Sequence, residues 1–349
     1  MIVLDLCERS FAVNGLAGIP LTKRVRHGGA AGTRRTQELN EIYVSGGFRR
    51  RLNPLSEAGC ISQVIDLNVQ LIAICNQHMR RVRIMLLRGQ TAIVYGGSGA
   101  IGGAAAGAFA REGAKVFLVG RTLQKLEAGA EEIVRKGGAA NVAVLDVLDE
   151  RAVEHHAEVV ARETGGIDIA LNAVGFSHVQ GTPLAGLSLT DFMLPIETYA
   201  KAVFITAKAA ARFMAQRGSG VIMNISTPGS RLPGIGYLGY GAACAVTEGL
   251  TRLLAAELAP RGIRVVCLQP HAIPEALTKG SHSRRVFQPA AERAGLTVEE
   301  MLQGAAEGTL LKRLPTLGEV ADVAAFVASA RAHAMTGTVV NMTCGALVY

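Results

Sequence analysis

From Thr91 onward, short runs of apolar and β-branched residues alternate with longer stretches whose apolar positions return every three or four residues. The short runs predict strands near 91–95, 115–120, 141–145, 167–171, 220–225, 263–268 and 338–342. The longer stretches predict helices near 101–113, 122–137, 149–164, 191–217, 241–259 and 317–330. Strands and helices that alternate through short loops imply an α/β fold: a doubly wound parallel sheet with right-handed crossovers, in three α/β/α layers. Residues 1–84 break this pattern. They carry no alternating strand runs, only a stripe at helical spacing (Ile61, Val64, Ile65, Leu71, Ile72, Cys75, Met79, Val82) that predicts one helix.

Within the first strand–helix–strand unit, the apolar run ending at Tyr95 meets Gly96-Gly97-Ser98-Gly99-Ala100-Ile101-Gly102-Gly103, and an Ala-rich helix follows. Gly97, Gly99 and Gly102 satisfy G-x-G-x-x-G. That spacing alone is weak in a chain with 41 glycines, but the flanking strands and helix are all present. Glycines let the backbone turn sharply and approach a pyrophosphate, and the helix N-terminus offers it free N–H groups. The unit therefore predicts a dinucleotide site. A carboxylate that would hold a ribose 2′-hydroxyl is missing after the second strand; Arg121 stands there instead, where a guanidinium can pair with a 2′-phosphate. The expected cofactor is NADP(H) rather than NAD(H). After the third strand, Asp146 is expected to accept from an adenine amino group and Asp149 to cap the next helix.

Charge adds little to the nucleotide-binding part. The net charge is +8, yet residues 1–84 hold twelve Lys/Arg against six Asp/Glu, so the basic balance sits mostly ahead of the first strand. Its Arg clusters lack aromatic interleaving or a recognised module, so neither nucleic acid nor a membrane face is expected as a partner. This block reads as a poorly ordered extension, or as a start placed too far upstream, with the domain proper at 85–349. The six cysteines (7, 60, 75, 244, 267, 344) form no Cys-x-x-Cys pair and lie at no zinc spacing, so no metal is expected and the thiols read as reduced and cytoplasmic. No apolar stretch reaches membrane-helix length, and Asp5 and Glu8 argue against a secretory leader.

The ordered motifs resemble the short-chain dehydrogenase/reductase family in its NADP-preferring form, over about residues 88–349. The family's Thr-Gly-x-x-x-Gly-x-Gly stands here as Tyr95-Gly96-x-x-x-Ala100-x-Gly102, and its Asn-Asn-Ala-Gly as Asn172-Ala173-Val174-Gly175. Its Ser and Tyr-x-x-x-Lys stand as Thr227 and Tyr240-Gly-Ala-Ala-Cys244, its Pro-Gly as Pro270-His271, and its C-terminal pattern as Thr336-Gly337…Cys344-Gly345. The resemblance implies a Rossmann-type sheet and a cofactor set of Gly96, Ser98, Ile101, Gly102, Arg121, Thr122, Asp146, Val147, Asn172, Ala173, Gly175, Pro270 and Ile273. It also implies Tyr240 as acid/base and Thr227 as the hydroxyl that holds the substrate oxygen.

Two of the four catalytic positions depart from the family. Cys244 replaces the Lys that lowers the phenol's pKa, and Tyr199 falls where the family has an Asn that holds a relay water. His178 and His271, on the same rim, are candidates for the missing positive charge. By the same resemblance residues 272–314 are the substrate lid, a helix pair with Phe287 and Met301 as wall-forming side chains. The apolar helix 241–259 predicts a homo-oligomer, a tetramer or dimer. The expected activity is NADP(H)-dependent interconversion of a small-molecule carbonyl and a secondary alcohol. The alternatives are a cofactor-binding scaffold or redox sensor with little turnover, and an enone reductase.

Overall fold

A computed structural model of the chain describes residues 85–279 and 281–348. The expectations for residues 1–84 lie outside the described residues. Seven strands form one sheet: β1 (Thr91–Tyr95), β2 (Lys115–Gly120), β3 (Ala139–Val144), β4 (Ile169–Asn172), β5 (Gly220–Ile225), β6 (Ile263–Pro270) and β7 (Thr338–Met342). Every pairing is parallel and the order is β3-β2-β1-β4-β5-β6-β7. The helices are α1 (Ala100–Arg111), α2 (Leu123–Arg135), α3 (Glu150–Thr164), α4 (Leu189–Arg217), α5 (Leu238–Leu258), α6 (Ser283–Arg293), α7 (Val298–Glu307) and α8 (Leu317–Ala328).

The central strands are buried on both faces, and alternate residues feed two cores. Ala92 and Val94 of β1, with Val116 and Leu118 of β2, pack under α1, α2 and α8. Ile93, Tyr95, Phe117 and Val119 point the other way, under α3, α4 and the C-terminal part of α5. The elements predicted from Thr91 onward are all present, with their ends shifted by up to three residues; the largest shift is the start of α5, at Leu238 rather than 241, and β3 and β4 run Ala139–Val144 and Ile169–Asn172 rather than 141–145 and 167–171. Just before β4, the Asp168 carboxylate accepts from the Thr91 N–H at 2.8 Å and pairs with Arg217 at 3.0 Å, while its backbone already bonds to Thr91 and Val221.

Helix boundaries follow the local chemistry. Asp149 accepts from the Ala152 N–H at 3.1 Å and starts α3, as expected. Capping boxes at Thr297/Glu300 and Thr316/Glu319 start α7 and α8. The expected helix pair at 272–314 is α6 and α7, joined by a small core of Ala291, Val298, Leu302 and Leu314.

Candidate active site

The carboxyl ends of β1, β2, β4, β5 and β6 open into one cleft of about 370 Å³. Parallel strands bring their loops to one edge of the sheet, where ligands of such folds bind. At the floor, Gly96 has φ of +80°, and a side chain there would come within 2.5 Å of the Ala173 carbonyl. A Cβ on Gly102 would strike the Gly96 carbonyl oxygen. The turn is thus closed so tightly that only glycine fits at both places. Helix α1 begins at Gly99, which has no side chain to cap it, so its first N–H groups face the cleft. Those donors and the helix dipole suit a pyrophosphate.

At one end of the cleft lie Ser98, Gly120, Arg121, Thr122 and Lys125. No carboxylate stands among them, and neither Arg121 nor Lys125 has an ion-pair partner among the described residues. Asp146, the one carboxylate lining the cleft among the described residues, accepts from the Leu148 N–H at 3.0 Å through one oxygen, and Val147 lies beside it. Ile101, Ala173, Gly175, Pro270 and Ile273 also line the cleft, as expected. Gly102 and Asn172 do not. Gly102 closes the turn from beneath, and the buried Asn172 accepts from the Val174 N–H at 3.4 Å through its own side chain.

At the other end, Thr227 and Tyr240 face the same space. Thr227 lies two residues past the end of β5 in extended backbone, and Tyr240 lies in the first turn of α5. The Tyr240 phenol lies beside Thr227 and Cys244, and Thr227 Oγ1 lies 3.3 Å from Cys244 Sγ. Cys244 is buried and does not line the cleft; it backs the two hydroxyl groups from one helical turn below. Burial pushes its thiol up, so it is uncharged at neutral pH.

The Tyr240 ring stacks on His178, with centroids 4.4 Å apart and planes within 10°. His178 Nδ1 faces the Phe176 carbonyl at 2.8 Å and must donate to it, which leaves Nε2 to accept from the Gln180 amide at 2.8 Å. Burial pushes the His178 pKa down to about 4. This corrects the expectation that His178 supplies a cation: both nitrogens are engaged in the neutral tautomer. His271 lines the cleft but is also pushed down by burial, and its Nδ1 accepts from the Ala272 N–H at 2.7 Å. Tyr199 lines the cleft, accepts from the Phe176 N–H at 3.4 Å, and is pushed up to about 12 by burial. Burial, then the neighbouring Cys244 and Tyr199, likewise raise the Tyr240 phenol well above its ordinary value.

The segment between β6 and α7 adds Ser281, His282, Ser283, Arg285 and Phe287 to the wall. Phe287 is where it was expected; Met301 instead packs into the core between α6 and α7. His282 sits so close to Gly175 that a Cβ there would strike its imidazole. Nothing in the sequence pointed to His282, because the contact spans more than a hundred residues. Lys125 was legible, as a second cation one helical turn after Arg121.

A comparison with family models matches residues 97–346 to "Enoyl-(Acyl carrier protein) reductase". A (+)-borneol dehydrogenase of Salvia officinalis is 30% identical over 72% of this chain and 87% of its own length. The chain belongs to the short-chain dehydrogenase/reductase family. Such proteins are NAD(P)-dependent oxidoreductases, and this chain is one of them. Two solved family structures superpose with a TM-score of 0.67 at 25% identity: an NAD+-bound xylitol dehydrogenase, covering 74% of this chain and 99% of its own, and an actinorhodin polyketide ketoreductase with NADPH, covering 74% and 98%. Family relatives named for alcohols and ketones agree with carbonyl/alcohol interconversion on a small molecule.

Proposed function

We propose that this short-chain oxidoreductase uses NADP(H) to reduce a ketone to a secondary alcohol, with Tyr240 as proton donor and Thr227 as the hydroxyl that orients the substrate oxygen. The observation that carries this reading is their convergence: two hydroxyl groups from separate elements, linked through Cys244, face the cleft that the glycine turn opens. Gly96, Ser98, Ile101 and Gly102 shape the phosphate turn, and Arg121, Thr122 and Lys125 would meet the 2′-phosphate. Asp146 and Val147 would border the adenine, and Asn172, Ala173, Gly175, Pro270 and Ile273 the nicotinamide side. When bound, the nicotinamide supplies hydride.

Tyr240 carries its proton at neutral pH because burial disfavours a phenolate more than the Thr227 hydroxyl favours one. It can therefore donate to the oxygen of a carbonyl as that oxygen gains charge. Thr227 donates a second hydrogen bond to the same oxygen. Cys244 contributes contact and no charge. His178 and Tyr199 wall the phenol off from water and, being neutral, keep the medium around it apolar. The domain comprises residues 85–349 with 1–84 as an extension, and the protein works in the cytoplasm as a homo-oligomer. Among the described residues no helix is long and apolar enough to cross a membrane. The uncharged surroundings of Tyr240 also favour a second reading, reduction of a conjugated double bond, where the phenol's acidity matters less.

The test is NADPH consumption against a panel of ketones, acyl thioesters and enones. Turnover on ketones, reduced at least a hundredfold in Tyr240→Phe, is the expected result. Turnover confined to enones and indifferent to Tyr240→Phe selects the second reading. Tight NADPH binding with silence on the whole panel overturns both, and leaves a scaffold or sensor.

A further inference from the structure

We propose that Glu248 is a positioning residue for Thr227, holding the turn that carries this hydroxyl against the helix that carries Tyr240. The inference rests on the reductase reading of the same site. Glu248 lies on α5 on the same face as Tyr240 and Cys244, at successive four-residue steps, and is only 3% exposed. Its Oε1 accepts from Ser226 Oγ at 3.0 Å, Ser230 Oγ at 2.6 Å and Gln269 Nε2 at 2.7 Å. Arg231 Nε approaches Oε2 at 4.0 Å. Gln269, at the end of β6, donates also to Ser230 Oγ at 3.2 Å and to the Thr227 carbonyl at 3.5 Å.

The donors bracket Thr227: Ser226 precedes it, and Ser230 and Arg231 follow within one turn. A carboxylate buried this deeply must be met by several donors, and here those donors are the turn itself. Residues 231–237, which connect the turn to α5, are mostly exposed, so the chain between Thr227 and Tyr240 does not fix their separation. Thr227 itself meets the helix through its contact with Cys244, and a thiol is a weak hydrogen-bonding partner. The charge-assisted bonds to Glu248 are the firm link. They set where Thr227 Oγ1 stands relative to the Tyr240 phenol, and a displacement of about 1 Å at such a site costs on the order of a hundredfold in rate.

The experiment compares the natural full-length chain with Glu248→Ala, Glu248→Gln and Thr251→Val. Thr251 lies farther along α5, and its Oγ1 accepts from Asn224 Nδ2 of β5 at 3.1 Å, so its loss cuts a buried link between the same elements away from Thr227. Readouts are kcat and KM for the ketone, NADPH affinity by fluorescence, and amide hydrogen exchange over residues 226–231. Expected for Glu248→Ala is a fall in kcat of about a hundredfold, NADPH affinity unchanged, and faster exchange confined to 226–231. Glu248→Gln keeps an acceptor oxygen and recovers about tenfold of that loss. Thr251→Val lowers the melting temperature and leaves kcat alone.

The proposal is overturned if Glu248→Ala keeps kcat within a small factor, if exchange at 226–231 does not change, or if Thr251→Val loses as much kcat. If Glu248→Ala fails to fold, Glu248→Gln decides alone, and an unchanged kcat overturns the proposal. If the natural chain turns over no carbonyl, the reductase reading falls by itself. Exchange at 226–231 then reports whether Glu248 holds the turn, and no change overturns that too.

Discussion

Tyr240 shows how one substitution changes the conditions under which a site works. Cys244 brings no cation to the phenol, and His178 and Tyr199 face it uncharged. The protonated form therefore prevails well beyond neutral pH. In the proposed reaction ketone reduction draws on that proton, so kcat/KM should stay level from about pH 6 to 9; alcohol oxidation would need the phenolate and should rise about tenfold per pH unit with no plateau below about pH 10. Cys244→Lys should bring a plateau in below that, since an ammonium group stabilises the phenolate. Steady-state rates in both directions across pH test this, and an oxidation plateau near pH 7 in the natural chain would refute it. At the other end of the cleft, Arg121→Ala together with Lys125→Ala should raise the KM for NADPH by roughly ten- to a hundredfold and leave that for NADH nearly unchanged.

Residues of this kind were readable from spacing when they sat in a contiguous motif. The interval between Thr227 and Tyr240, the glycine turn and the missing carboxylate at Arg121 were all visible along the chain. Glu248 was not, because its meaning lies in Ser226, Ser230 and Gln269 meeting it from β5, the following turn and β6. His178 was visible as a residue but not as a tautomer, which depends on which groups face its two nitrogens.

Elements follow the same division. Apolar periodicity located the helices and strands, because burial on both sheet faces demands it. It blurred at the ends, as at the start of β4, where the Asp168 backbone already bonds to both neighbouring strands ahead of Ile169. The junction between β1 and α1 depends on close backbone approach rather than on pattern. Gly102→Ala should push the helix off the strand, because the added methyl has a carbonyl oxygen in its place. We expect a loss of more than tenfold in cofactor affinity by titration and a lower melting temperature, whereas Gly107→Ala, whose Cβ position is open, should be neutral or slightly stabilising.

At the scale of the whole fold, two histidines, the buried His178 and the partly buried His156, make stability depend on acid. Burial pushes His156 and His178 down to about 4 from an ordinary value of 6.5. An unfolded chain takes up these protons near pH 6.5 and the folded chain only near 4, so the unfolded state binds more protons in between. Stability is therefore fully present above about pH 6.5 and declines as pH falls towards 4, by up to about 1.4 kcal/mol per pH unit for each group. Urea unfolding at pH 7.5, 6 and 5 should show this decline. His156→Phe, which keeps the ring beside Phe117 and removes the proton site, should flatten it; an unchanged slope would show that His156 does not drive it.

The strand order β3-β2-β1-β4-β5-β6-β7 places β1 between two consecutive lengths of polypeptide. Every group that would read the adenosine end, from Ser98 to Val147, comes before α3, and every group that would grip the carbonyl comes after it. Coenzyme choice and substrate choice are thus inherited separately. A crossover between two related genes anywhere within α3 would exchange one trait and leave the other intact, so that a lineage built on this plan can change what it reduces without relearning what it reduces with.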